Sequence, residues 1–196
     1  MDQFEYIMVL VSIIVGLGVA HLLLGVGGII NRLADRQRPL KLSVAYLAWL
    51  AMLFVWMVLF WWWEFRFGEF VTHWTVGLYF FLVIYAVTLF LLAAVMVPRS
   101  WDGVHDLEQY FLERRYWFYS LLLVANGLDI TDSYLKGGAD RLANEPPATL
   151  LLWTVVFVAC LIGFRAPKIQ VHAVMGVLLL VLQIVNGFVV LPELGF

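Results

Sequence analysis

The chain has 196 residues, of which 64% are hydrophobic and only 13% charged, and a formal net charge of -2. That charged fraction is about half of what soluble globular domains carry, and a soluble domain of this length has too small an interior to hide so much apolar surface. Composition therefore excludes a soluble globular protein and, with no basic tract, a nucleic-acid partner; the solvent is the lipid bilayer.

Cys160, the one cysteine, sits inside an apolar run, which excludes a disulfide framework and a CxxC metal site. The N-terminal stretch MDQFEYIMVL reads as a retained first span rather than a signal peptide. Asp2 and Glu5 come first, and the first positive charge is Arg32.

Six apolar segments predict an all-α fold, a polytopic bundle of six transmembrane helices forming a single domain over residues 1–196. They run over approximately residues 4–30, 42–63, 74–97, 116–135, 148–164 and 169–191. Three spans lie on each side of Pro98, as in inverted-repeat transporters, but the halves share no evident sequence similarity. Nine Lys and Arg residues fall in alternate loops: Arg32, Arg36, Arg38, Lys41, Arg99, Arg114, Arg115, Arg165 and Lys168. The other loops hold Arg66, Lys136 and Arg141. The positive-inside rule then puts both termini on the outer side and the nine-charge loops in the cytoplasm; the chain looks like the small polytopic proteins of bacterial inner membranes, which is the expected location. Trp61, Trp62, Trp63, Trp74 and Trp153 mark the outer interface, and Trp101 and Trp117 the inner one.

In the first span Ile14, Gly18, His21, Gly25, Gly28 and Arg32 recur at spacings of three and four, so they share a face. Gly18, Gly25 and Gly28 predict a tight helix–helix seam. His21 within a span is either a packing histidine bonded to a neighbour or a titrating residue on a proton path. His172, early in the sixth span, is the second intramembrane histidine. Two such residues at one depth can ligate a haem axially, although rise along the helices separates these by up to about 10 Å.

The second span ends in WWWEFRFGEF. Glu64 and Glu69 are expected at the outer surface, either in local ion pairs with Arg66 or as an acidic rim that concentrates cations. The third span, with Tyr79, Tyr85 and Thr88 as its few polar groups, reads as scaffold. Between residues 98 and 115, Trp101, Val104, Leu107, Tyr110 and Phe111 recur at helical spacing opposite Asp102, Asp106, Glu108 and Glu113. This predicts a short cytoplasmic amphipathic helix, acidic rather than basic on its polar face, that packs on the bundle or on a partner. His73 and His105 fall in loops and carry little signal.

The fourth span is the one that breaks the apolar pattern. Asn126, Asp129, Asp132 and Ser133 stack on one face where the helix is still in lipid. On the sixth span Gln183 and Asn186 are also three apart. Counting helix rise, Asn126 and Asp129 lie about 15 to 20 Å up, and Gln183 and Asn186 about 21 to 26 Å. Ser12, from the outer third of the first span, can join them. The Asn and Gln side chains read as interhelical hydrogen-bond partners. With no Lys or Arg expected at their depth, Asp129 and Asp132 either bind a cation, take up a proton or face water, or belong to a structural network on a helix that ends early at Asp129. An Asp-x-x-Asp pair can also hold Mg²⁺ on a substrate phosphate, but the spacing is common and the ion is left open.

No GxSxG elbow, HExxH, glycine-rich phosphate loop or cysteine nucleophile with a base is present, which argues against an enzyme. The leading expectation is a small inner-membrane protein that conducts or binds a small cation or proton through a polar vestibule at Ser12, Asn126, Asp129, Asp132, Ser133, Gln183 and Asn186. The alternative is a non-catalytic accessory or assembly subunit, as a homo-oligomer or with partner membrane subunits. The third is a haem or lipophilic-cofactor protein using His21 and His172.

Overall fold

A peptide chain in lipid has no water to satisfy its amides, so an apolar run closes its own hydrogen bonds as a helix. The computed structural model describes residues 3–35, 37–64, 67–71 and 74–193, the side chains of residues 3, 69 and 189–193 excepted, and it follows that rule. The helices are α1 Gln3–Ala34, α2 Val44–Glu64, the single turn α3 Phe67–Phe70, α4 Val76–Met96, α5 Leu107–Ala143, α6 Pro147–Arg165 and α7 Ile169–Glu193. Among the described residues there is no strand; one isolated bridge pairs Lys41 with Asp106. Helices α1, α2, α4, α6 and α7 are long and apolar enough to cross a membrane. The chain is thus a multi-pass membrane protein.

Helix α5 differs from expectation. Its 37 residues, about 55 Å of helix, take in both the predicted fourth span and most of the predicted amphipathic helix. Gly103 turns the chain with φ of 78°. Asp106 then caps the helix, accepting from the amides of Glu108 at 2.8 Å and Gln109 at 3.4 Å. From there the backbone stays helical to Lys136. No separate surface helix forms, because no proline interrupts residues 107–136 and because Leu107, Tyr110 and Phe111 are buried in the bundle. The break comes later, at Gly137 and Gly138. Gly138 has φ of 66° and ψ of -158°, a conformation that side chains with a Cβ avoid.

Around the bundle α1 packs on α4, α4 on α5, α5 on α6, α6 on α7, α7 on α2 and α2 on α1. Helix α2 also reaches α4 and α5. Of its apolar stretch 56% is buried, against 28% for α1, so α2 is the central helix and α1 lies at the perimeter. The glycine face of α1 meets α2, α4 and the loop beyond α4. A Cβ on Gly18 would stand 3.2 Å from Met57 Sδ, one on Gly25 2.7 Å from Val97 Cγ2, and one on Gly28 would overlap the Trp101 indole.

The antiparallel helices give the bundle two chemically distinct ends. The basic end carries Arg32, Arg38, Lys41, Arg99, Arg114, Arg115, Arg165 and Lys168. There Lys41 N–H donates to the His105 carbonyl and Leu107 N–H to the Lys41 carbonyl. Arg32, expected in a loop, lies buried in the last turn of α1 and donates to the Val104 carbonyl at 2.9 Å. The opposite end holds Glu64 and the second half of α5; it is called the carboxylate end below.

Candidate functional site

Residues three and four apart share a helix face, and α5 uses that spacing to aim Asn126, Asp129, Asp132, Ser133 and Lys136 into the bundle at the carboxylate end. All but Asp129 are among the buried polar residues, and Asp129 is itself bonded on both oxygens. Tyr85 of α4 donates its hydroxyl to Asp129 Oδ1 at 2.7 Å. Trp153 of α6 donates its indole N–H to Asp129 Oδ2 at 2.6 Å. Two turns further along α5, Lys136 Nζ stands 2.5 Å from Asp132 Oδ2 and 2.9 Å from Glu64 Oε1 at the end of α2. Ser133 donates to Glu145 in the α5–α6 connection, and Arg141 Nε lies 3.5 Å from the same Glu145 oxygen. On α7, Asn186 Oδ1 accepts from Thr149 at 3.0 Å. The site therefore ties together α2, α4, α5, α6 and α7.

Two of the sequence expectations are corrected here. Asp132 does have a cationic partner: Lys136, read as an outer-loop charge, is buried because α5 stays helical through residue 136, one residue past the predicted span end, which sets it one turn on from Asp132 and facing inward. Glu64 is not part of an exposed rim. It is 1% exposed and shares the same ammonium. The side chain of Glu69, with Arg66 and His73, lies outside the described residues. Ser12 does not join the cluster; its hydroxyl turns back to the Met8 carbonyl of its own helix.

The two histidines are not brought together. His172 is fully buried near the basic end, its Nδ1 bonded to the Tyr119 hydroxyl at 2.7 Å and its Nε2 to the Ala166 carbonyl at 3.0 Å. A carbonyl only accepts, so Nε2 carries the proton and Tyr119 donates to Nδ1. Both ring nitrogens are thereby used within the fold, which leaves none to ligate a haem. His21, half-buried on α1, lies against Phe90 of α4 with ring centres 6.3 Å apart.

A cavity of about 90 Å³ opens among these groups, lined by Trp63, Glu64, Phe70, Asp129, Asp132, Ser133, Lys136, Arg141, Glu145, Thr149, Trp153 and Asn186. Its walls carry four carboxyl groups and two cations, an excess of two negative charges when all are ionised. Four buried polar atoms of the lining have no hydrogen-bond partner among the described residues: Glu64 Oε2, Asp132 Oδ1, Trp63 Nε1 and Arg141 Nε, the last only ion-paired with Glu145 at 3.5 Å. Among the described residues no three His, Cys, Asp or Glu side chains converge as a metal-binding set. A larger groove, about 630 Å³, lies at the basic end. Each acid lining it has a basic partner: Asp102 pairs with Arg38, Asp106 with Lys41 and Glu113 with Arg114. The smaller cavity is therefore the chemically unbalanced one.

Tyr85, Lys136, Glu145, Thr149 and Trp153 escape the sequence reading. Lys136 had a signal, since it continues the spacing from Asp129 and Asp132 by one more turn. Tyr85 and Trp153 had none; a tyrosine in an apolar span and a tryptophan near its end read equally well as packing and as an interface anchor. The chain matches no protein-family model, no curated protein and no solved structure.

Proposed function

We propose that the protein binds protons in the cavity at the carboxylate end and passes them into the membrane. The reading rests on one observation: Glu64 and Asp132 share a single ammonium, Lys136, and Asp129 lines the same cavity, inside a membrane bundle. Each uncompensated buried ion costs several kcal/mol, and intramembrane carboxylates are tolerated where they meet a counter-charge or a transported species. A proton needs no ligand set of fixed geometry, and it neutralises a carboxylate whose second oxygen has no donor. Tyr85 and Trp153 hold Asp129 in one orientation, while Lys136 spans the other two acids.

In this reading α5 is the fourth of six spans. The basic end faces the cytoplasm, both termini face outward, and the cavity opens to the outer side of a bacterial inner membrane. Proton flux into liposomes, followed with an internal pH-sensitive dye, tests the function. Asp129→Asn, which keeps both hydrogen bonds to Tyr85 and Trp153 within reach, is expected to reduce flux at least tenfold without loss of fold. Flux equal to that of the unaltered protein would contradict the proposal.

A further inference from the structure

Deeper than the cavity, a second and smaller void is lined by Met52, Trp56, Asn126, Asp129, Trp153 and Gln183, with apolar side chains closing it. Its volume is about 10 Å³, the space that one water molecule needs. Gln183 and Trp56 are 3% and 4% exposed, and both Gln183 Nε2 and Trp56 Nε1 lack an acceptor among the described residues. A buried N–H left without a partner is costly, and native proteins meet that cost with a protein group or an ordered water. Asp129 and Trp153 line this void as well as the cavity, and Asp129 is the titratable residue common to both.

We infer that the void is a built water site, in which one water accepts hydrogen bonds from Gln183 and Trp56 and donates to the carboxyl group of Asp129. The arrangement fits the valence of water: two acceptor lone pairs meet two orphaned donors, and one O–H meets the carboxylate. Asn126, which donates to the Trp153 carbonyl at 3.4 Å, closes the side of the site. Gln183 and Trp56 are then positioning residues for Asp129, and the polar path runs past it to the middle of the bundle. This role for the water rests on the proton-binding reading above; the site itself does not.

Two measurements separate the inference from that reading. In a high-resolution structure of the full chain, an ordered water within hydrogen-bond distance of both Gln183 Nε2 and Trp56 Nε1 is expected, and a dry void would overturn the site. In liposomes, Gln183→Leu, which fills the void, and Trp56→Phe, which keeps a ring and removes the N–H, are each expected to move the pH midpoint of proton flux by about one unit, the size of effect that one hydrogen bond to a buried carboxylate has. An unmoved midpoint in both variants would overturn the positioning role while leaving Asp129 in place. Should the unaltered protein carry no proton flux, the proposed function fails, and the water site still stands or falls by the first measurement.

Discussion

Lys136 sets the balance of the carboxylate end, since its ammonium holds two acids that have no other cation within bonding distance among the described residues. Removing one member of a buried ion group strands the others, at a cost of about 3–5 kcal/mol. Lys136→Met is therefore expected to lower unfolding stability in detergent by that order. A triple variant carrying Glu64→Gln and Asp132→Asn as well recovers most of the loss, because no charge is then left stranded. Equal instability of the single and triple variants would show that packing at this position matters more than charge. At the other end Asp106 obeys a simpler rule. Burial raises its pKa, but Lys41 Nζ at 3.1 Å and the two capping amides outweigh that and hold it below the ordinary aspartate range. A carboxylate with a lowered native pKa stabilises the fold above the unfolded value of about 3.9, and that contribution disappears as the pH falls through the native value. Asp106→Ala is expected to cost about 1 kcal/mol of cap energy at neutral pH and to flatten the acid limb of the stability profile. An acid limb identical to that of the unaltered protein would refute this assignment. Of these residues Asp129 and Asp132 stand out in the sequence, because an acid inside an apolar span is rare. Their partners do not, because hydrogen-bond donors such as Tyr85 and Trp153 are ordinary members of membrane helices.

Helix α5 is the element on which the reading of the sequence was least complete. A hydropathy window sees charges and subtracts them, whether they face lipid or each other. The segment from Tyr116 to Lys136 is therefore less apolar than the five helices long and apolar enough to cross a membrane, although Asn126, Asp132, Ser133 and Lys136 are all buried. The start and end of α5 were equally hard to place. Its first turns look amphipathic and surface-bound when read alone, and only the burial of Leu107, Tyr110 and Phe111 shows them to be part of the bundle. The packing of α5 on α6 gives a direct test. Gly163 seats the Tyr119 ring, which is itself fixed by His172 and by Trp49, whose ring centre lies 5.7 Å away. Gly163→Ala forces a Cβ into that ring and is expected to destabilise the protein by about 1–3 kcal/mol, the range for overpacking. Gly16, also helical, has nothing within 4 Å of a Cβ. Gly16→Ala is expected to be neutral or to stabilise by up to about 1 kcal/mol through helix propensity. Thermal unfolding in detergent measures both, and a destabilised Gly16→Ala together with a neutral Gly163→Ala would reverse the packing assignment.

At the scale of the whole molecule, the helical class, the positions of the apolar helices and the clustering of basic residues at one end were all legible from composition and hydropathy. Which helix touches which was not. In lipid the buried and lipid-facing surfaces are equally apolar, so the sequence shows little contrast between them. The central place of α2 follows from contacts that no periodicity in Val44–Glu64 announces. The glycine face of α1 is the exception, since small residues mark where a neighbouring backbone or side chain comes close. Reporter fusions test the proposed orientation: both ends of the chain should report outside and the loop around residues 36–41 inside, and the opposite pattern would place the cavity on the cytoplasmic face.

The most direct test of the account is whether the carboxylate end holds a proton. Infrared spectroscopy of the purified protein at neutral pH, in H₂O and D₂O, distinguishes a protonated carboxyl group from a carboxylate. The account predicts an isotope-sensitive carbonyl band of a carboxylic acid that disappears or shifts in Asp129→Asn or Asp132→Asn. Carboxylate bands alone, with no such acid band in the unaltered protein, would contradict it and leave the cluster as a structural network.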